Sequence, residues 1–311
     1  MDFIPYRNVM EFRNLRAFVE VVRQGGFTPA AKALFATQST ISKAVRQLED
    51  EIGLPLLDRI GHRSHLTAPG EVVYRRAVKL LAEREDLARE LDEIRGLKQG
   101  SLSLGLPPVA SSALFAPLFA IYRQRFPGID VRLVEHGSDR LEEMLRTGEI
   151  EMAASLLPFG EDFEWQGVRR EPLMAVMPRA HALAGRQTIK IEDVREEPFI
   201  LFEAGFGLNR IIGDACRRHG FSPAVAARSS QIEFIVGLAA AGLGIAFLPQ
   251  IIAPRSEAGH AASVLLDEPG TAWHIAMIWR RGAYLSHAAR AWLALVEEMH
   301  PDEGRAEPPQ S

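Results

Sequence analysis

The 311-residue sequence contains one cysteine, Cys216. An internal disulfide is excluded, as is any all-cysteine metal cluster within one chain. No apolar stretch reaches the ~18 uninterrupted residues of a membrane helix. The run around 235–253 is broken by Gly237, Gly242, Gly244 and Pro249. The N-terminus, Met-Asp-Phe-Ile-Pro-Tyr-Arg-Asn, has no charged segment followed by an apolar one, so no secretory signal and a cytoplasmic location are expected. A large excess of one charge is missing too. With 36 Lys and Arg against 40 Asp and Glu the net charge is −4, so a basic surface for nucleic acid has to be local. Catalytic signatures are also missing. There is no Gly-x-Ser-x-Gly elbow, no His-Glu-x-x-His pair and no Walker loop, which argues against an enzyme. Gly205-x-Gly207 and Gly242-x-Gly244 fail as dinucleotide loops, because Arg210 and Phe247 stand at the third glycine position. No repeat of solenoid period is present.

What is present is ordinary globular material, 47% hydrophobic and 24% charged, at a length that suggests two domains of about 150 residues. Residues 1–10 read as a loose tail and the segment from Pro301 as disordered. Between 11 and 66 the pattern is helical. Leu15, Phe18, Val19 and Val22 recur at helical spacing and stop at Gly25-Gly26. Thr28-Pro29 reads as an N-cap followed by proline at the first helical position, opening a short helix with a small face of Ala30, Ala31, Ala33 and Leu34. About two residues later Thr37 caps a second helix, Gln38 to Leu48. This is a helix-turn-helix arrangement, whose second helix enters the major groove.

That second helix has two distinct faces. Ile41, Val45 and Leu48 follow core spacing, whereas Gln38, Ser39, Ser42, Lys43 and Arg46 lie opposite. Short polar side chains can approach base edges, and Lys43 and Arg46 can reach phosphate or guanine. Thr37 and Thr40 complete the candidate face. Two short extended pieces around Gly61 read as a wing carrying Arg59 and Arg63, placed for backbone or minor-groove contact. His62 and His65 lack a cysteine or carboxylate at ligand spacing, so no metal site is expected there. Residues 11–70 hold eight Lys and Arg against six Asp and Glu, the sign that DNA binding requires.

From Phe18 to Gly70 the sequence resembles the winged helix-turn-helix of LysR-type transcriptional regulators. The resemblance rests on Ala30-Ala31, Leu34, Thr37-Gln38-Ser39, Ser42, Leu48-Glu49, Gly53, Pro55-Leu56, Arg59, Leu66-Thr67 and Gly70. Ser39 departs from a frequent proline, Leu57-Asp58 from a phenylalanine-glutamate pair, and Ala68-Pro69 inverts the usual order.

A long charged helix is predicted next, over 69–97. Val73, Leu80, Leu87 and Ile94 are spaced by seven, with Ala77 and Leu91 interleaved and Arg84 interrupting the stripe. A heptad stripe seeks a partner helix, so this segment is the expected dimerisation element. It resembles the linker helix of the same family.

From residue 101 strand-like runs alternate with helical ones: Leu102 to Leu106, Val131 to Val134, Met152 to Leu156, Leu173 to Met177, Phe199 to Phe202, Ile245 to Leu248 and Ile275 to Ile278. The region reads as α/β with mostly parallel strands. Phe126-Pro127, Gly148-Glu149-Ile150-Glu151, Glu171-Pro172-Leu173, His181-Ala182-Leu183-Ala184, Glu197-Pro198-Phe199-Ile200 and Gly242-Leu243-Gly244-Ile245-Ala246-Phe247-Leu248-Pro249 resemble the type 2 periplasmic-binding-protein fold of LysR-type effector domains. Glu151 replaces a usual aspartate and Ala182 a usual proline. A transport solute-binding protein would share this half of the chain but would need a signal segment and no DNA-binding domain.

The resulting fold class is α/β: a winged helix-turn-helix (11–68), a linker helix (69–97) and an effector domain (101–300) of two Rossmann-like subdomains. The first subdomain is placed at about 101–170 and 270–300, the second at about 171–269. Ligands of α/β folds gather where strands end and helices begin. The candidate cleft residues are therefore Ser111, Ser112, His136, Ser155, Phe202, Glu203, Phe206 and Gln231, apolar walls with a few polar anchors. Arginines are missing from these positions, so a carboxylate would lean on helix starts and serines. Cys216 falls inside a helix and is expected to be structural. The resemblance implies a ligand-responsive bacterial transcriptional regulator with promoter DNA and a small organic effector as partners. Phe202 and Phe206 would suit an aromatic effector. The resemblance further implies a homodimer or homotetramer and contact with RNA polymerase, with no cofactor, no metal and no membrane.

Overall fold

The computed structural model describes residues 10–60, 63–94, 100–109, 111–254 and 260–301, with residues 59, 60, 63, 64 and 92–94 described by backbone alone. The chain divides into two compact units. One comprises residues up to Ala88 with Arg146–Glu149, the other the remainder.

The N-terminal unit opens with α1 (Phe12–Arg23), α2 (Phe27–Ala33) and α3 (Gln38–Ile52). Leu15, Phe18 and Val19 of α1 and Ile41, Val45 and Leu48 of α3 are buried in one core. α2 starts earlier than its Thr28-Pro29 signal suggests. Ala30 N–H already donates to Gly26 O at 3.2 Å, so Thr28 lies inside the helix and is not its cap. Pro29 is tolerated because the first-turn N–H groups have no intrahelical partner. Ala30 and Ala31 are buried but Ala33 is exposed, which narrows the small face. The connection to α3 is four residues, 34–37, rather than two. α3 continues past Leu48 to Ile52 and stops at Gly53, whose φ of +76° is the left-handed conformation that glycine adopts without a Cβ penalty.

β1 (Leu57–Ile60) and β2 (Arg63–Leu66) pair antiparallel. The wing's tip at Gly61 and His62 lies outside the described residues. The carboxylate of Glu49, on α3, accepts the N–H groups of Leu56 and Leu57 at 2.8 and 3.3 Å, tying α3 to the start of the wing. α4 (Ala68–Ile94) then runs for 27 residues, about 40 Å at 1.5 Å per residue. Thr67 Oγ1 accepts from Gly70 N–H at 3.0 Å and so caps it.

The expected stripe of α4 divides in two. Val73, Tyr74, Ala77 and Leu81 pack on the unit's own core, with Tyr74 edge-on to Phe18. Leu80, Leu87 and Leu91 are exposed. The reason is geometric: a seven-residue repeat drifts about 20° per heptad on a straight helix, and Val73 stands at the margin of both faces. The side chain of Ile94 and residues 95–97 of the expected linker lie outside what is described.

The C-terminal unit begins with β3 (Ser101–Leu106), then a single π turn at Ser111–Phe115 leading into α5 (Ala116–Arg125). β4 (Asp130–Glu135), α6 (Ser138–Arg146), β5 (Met152–Leu156), β6 (Phe163–Glu171), β7 (Leu173–Pro178), β8 (Thr188–Ile189) and β9 (Phe199–Phe202) follow. The chain continues through α7 (Gly207–Arg218), β10 (Val225–Ser229), α8 (Ile232–Ala240), β11 (Ile245–Pro249), β12 (Ala261–Leu266), β13 (Trp273–Arg280) and α9 (His287–Met299). Two sheets form, in the orders β4-β3-β5-β13-β6 and β10-β9-β11-β7-β12-β8.

The sheets are mixed rather than mostly parallel. β13 runs antiparallel to β5 and β6, and β7 to β11 and β12. These strands arrive from the neighbouring sheet as extended chain, β6 into β7 across Pro172 and β12 towards β13. The crossover helix that parallel pairing requires is missing there. The helices α5, α6, α7 and α8 instead serve the parallel strands β3, β4, β5, β9, β10 and β11. The core is continuous from Leu102 and Leu104 of β3 to Phe199 and Phe247 of the second sheet. It is closed at one end by Tyr122 against Trp292, ring centroids 5.2 Å apart.

Candidate nucleic-acid interface and effector cleft

The start of α3 is built by its cap. Thr37 Oγ1 accepts from Thr40 N–H at 3.2 Å and lies 2.9 Å from Ser39 Oγ and 2.8 Å from Thr40 Oγ1. The cap satisfies one of the free N–H groups of the first turn and ties three hydroxyls together at the helix tip. Gln38, Ser39, Thr40, Lys43 and Arg46 are exposed, and Ser42 is half-buried between them and the core face. Arg59 and Arg63 occupy the two wing strands, opposite Ser64 and Ile60 respectively; their side chains lie outside what is described. The tip of α3 thus offers free N–H groups, hydroxyls and, one turn on, cations. These are the groups that bind phosphate and base edges. The role of Glu49 as acceptor for the wing is not evident from the Leu48-Glu49 motif, because it depends on a turn that brings Leu56 back to it.

In the second unit, the C-terminal ends of β3, β4, β5, β9 and β10 lead into the loops that carry the candidate cleft residues. The loops after β4 and β9 meet backbone to backbone. Asp139 N–H donates to Gly205 O at 3.1 Å, and a Cβ on Gly137 would approach that oxygen to 2.7 Å and the Phe206 ring to 3.1 Å. His136 and Phe206 are therefore brought to neighbouring positions from different sheets. Ser111 is half-buried and donates its hydroxyl to Pro107 O, leaving its lone pairs as acceptors. Ser112 is exposed beside it. Glu203 and Gln231 are exposed, with Gln231 immediately before α8.

Two expectations change. Ser155 lies inside β5, is fully buried, and its Oγ donates to Glu142 Oε1 at 3.0 Å. Strand alternation turns it toward α6, away from the cleft. Phe202 is buried beneath Phe206, with stacked rings 5.3 Å apart, and so forms a floor rather than a wall. Asn209 holds the Phe202 backbone at both ends, accepting its N–H at 3.1 Å and donating to its carbonyl at 2.9 Å.

Arginine is present where none was expected. Arg210 Nη2 donates to Leu156 O at 3.1 Å and Pro158 O at 2.6 Å, and Arg228 Nη1 to Phe202 O at 3.0 Å. Arg210 stands in the first turn of α7, at the position where the sequence lacks a third glycine, and that mismatch was the available signal. Its guanidinium links α7 to the end of β5 and the loop that follows it.

Among the described residues no group of three His, Cys, Asp or Glu could hold a metal ion, and His62 lies outside them. No described helix is long and apolar enough to cross a membrane.

Comparison with known proteins gives a consistent picture. Residues 12–71 match the family described as bacterial regulatory helix-turn-helix protein, lysR family, and residues 95–301 match the LysR substrate binding domain. The chain is 35% identical over 285 residues to YwbI of Bacillus subtilis (strain 168), an uncharacterized HTH-type transcriptional regulator, covering 91% of this chain and 95% of that protein. It is 30% identical to the HTH-type transcriptional regulator CfxR of Cupriavidus necator, covering 93% of this chain and 92% of that one. A full-length OxyR variant from Pseudomonas aeruginosa shares the fold at a TM-score of 0.60 and 24% identity, over 93% of this chain and 98% of that one.

Proposed function

The chain belongs to the LysR family of transcriptional regulators, and on that premise we propose that it reads promoter DNA through α3 and the wing and changes its occupancy or activity in response to a small organic acid bound between the two sheets of residues 101–300. The observation that carries the reading is the tip of α3, where a capped turn, three hydroxyls, Gln38, Lys43 and Arg46 are exposed together. Thr37, Ser39, Thr40, Ser42, Arg59 and Arg63 complete the DNA face. Residues 11–68 form the DNA-binding domain, 69–97 the dimerising linker, and 101–300 the effector domain, with subdomains at about 101–170 plus 270–300 and 171–269. The regulator works in the cytoplasm as a homodimer or a dimer of dimers, with RNA polymerase as a further partner.

Ser111, Ser112, His136, Glu203, Phe206 and Gln231 surround the effector, and Arg210 attracts its carboxylate. A ligand spanning both sheets favours one arrangement of the subdomains, and only such differential binding shifts the DNA-bound population.

The test is salt-titrated binding of the full chain to a duplex selected from a random pool. Lys43→Ala is expected to weaken binding and to lower the slope of log affinity against log salt by about one. Ser42→Ala is expected to alter the selected sequence more than the slope. Wild-type affinity in the folded double variant removes α3 as the DNA face.

A further inference from the structure

Phe35 stands where a helix ordinarily ends in glycine. Its N–H donates to Lys32 O at 3.2 Å and that of Ala36 to Ala31 O at 2.9 Å. These paired bonds close a helix through a left-handed residue. Phe35 has a φ of +50°, and it is the one non-glycine residue with positive φ among the described residues. A bulky L-residue is disfavoured there. The ring finds no compensating burial in the chain, since Phe35 is 100% exposed. Glycine would serve the turn better, and any polar residue would serve the surface better. Strain retained with an apolar group left in water points to a contact outside the chain.

Two observations indicate what that contact is. Phe35 opens a stretch, 35–40, in which all six residues are exposed and which leads directly to Lys43 and Arg46. Between Glu20 and Glu49 the sequence has no Asp or Glu, while Lys32, Lys43 and Arg46 are exposed. A surface with cations and no carboxylates suits a polyanion rather than an average protein partner.

We propose that Phe35 is a DNA-contacting, specificity-determining residue whose ring packs on a thymine methyl group beside the bases read by the tip of α3. Hydroxyls and amides read donors and acceptors, whereas the thymine methyl is read by apolar contact. The proposal rests on the assignment of α3 as the DNA face, and the experiment separates the two.

The wild-type chain first selects a duplex from a random pool. Affinity for it is then measured against salt for wild type, Phe35→Gly, Phe35→Ala and Lys43→Ala, together with melting temperatures. Phe35→Gly is expected to melt higher than wild type, because the left-handed turn is relieved, yet to bind about tenfold more weakly. Its salt slope should equal that of wild type, because no charge is removed. Phe35→Ala should bind as weakly as Phe35→Gly without the gain in melting temperature. Replacing thymine by uracil in the duplex should lower wild-type affinity towards that of Phe35→Gly and leave the variant unchanged. Wild-type affinity in Phe35→Gly alongside a weakened Lys43→Ala overturns the role of Phe35 and leaves the DNA face standing. The role of Phe35 is likewise overturned if only Phe35→Gly is weak, because backbone freedom rather than the ring is then responsible. Full affinity in both Phe35→Gly and Lys43→Ala removes the DNA face itself.

Discussion

Cys216 lies on the core side of α7 and is fully buried. Burial pushes its thiol up to about 11, with the Glu268 carboxylate adding to the shift, because a thiolate is poorly solvated in apolar surroundings. In the unfolded chain the thiol ionises at lower pH, so alkaline conditions favour unfolding. The stabilising difference is complete below the unfolded value and is lost as pH rises towards the folded one. Urea denaturation between pH 9 and 11 should therefore show wild type losing stability at up to about 1.4 kcal/mol per pH unit more steeply than Cys216→Ala. Parallel curves would show that the thiol is not the responsible group. Gly70 illustrates a different residue-scale constraint. A Cβ there would collide with the backbone oxygen of Leu56, which also accepts Thr67 N–H at 3.1 Å. Gly70→Ala should cost about 1–3 kcal/mol, read as a lower denaturation midpoint, because the strand entry and the start of α4 must move apart. The reason for this glycine was invisible in one dimension, since Leu56 and Gly70 meet only after the wing has folded.

At the scale of the element, α4 carries a row of exposed apolar side chains that the core does not use. Leu80 and Leu87 are 47% and 56% exposed, and Leu91 continues the row one turn later. A row of leucines along a helix left in water is unfavourable and is relieved when a second helix covers it. Leu87→Asp should dissociate the homodimer or dimer of dimers proposed above, since a buried unpaired charge is costly. Light scattering is expected to show a fall in mass with an unchanged helical circular dichroism signal, and an unchanged mass would remove α4 as the seam. The heptad was legible in the sequence, but its division was not. Val73 follows the same spacing as Leu80, yet it packs on its own domain, because it borders the face that carries Ala77 and Leu81 onto the core of α1 and α3, whereas Leu80 has drifted off that face. Strands were legible where apolar runs were dense, as in β5 and β9. β6, β8, β10 and β12 were missed. β6, Phe-Glu-Trp-Gln-Gly-Val-Arg-Arg-Glu, is polar and contains glycine, and it is a strand because β13 pairs with it along its length. β10 is an edge strand with mostly exposed side chains, so it shows no alternation.

At the scale of the whole molecule, the expected division of labour places DNA recognition before residue 68 and effector recognition after residue 101. The double variant Ser112→Ala with Phe206→Ala should keep wild-type DNA affinity and lose its response to effector. A thermal-shift screen of small organic acids identifies a ligand by the stabilisation it confers on the native state. Calorimetric titration of wild type and variant with that compound then decides: affinity should fall at least tenfold in the variant, and equal affinities would place the effector elsewhere.

The helices α1 and α3, their core faces and the Thr37 cap were determined by the sequence itself. Each depends on neighbours within a few positions: periodicity of apolar residues, a hydroxyl three residues before the N–H it accepts, and a glycine at the stop. The apolar alternation of β3 and the dense apolar runs of β5 and β9 are local in the same sense. The removal of Ser155 from the cleft, the stacking of Phe202 under Phe206 and the approach of Gly137 to Gly205 were decided by tertiary structure. So was the reach of Arg210 to the Leu156 and Pro158 carbonyls, 54 and 52 positions away. These contacts join residues far apart in the chain, and which side chain faces a cleft or a core is fixed only when two sheets, exchanging strands, settle the direction of each strand against its neighbours.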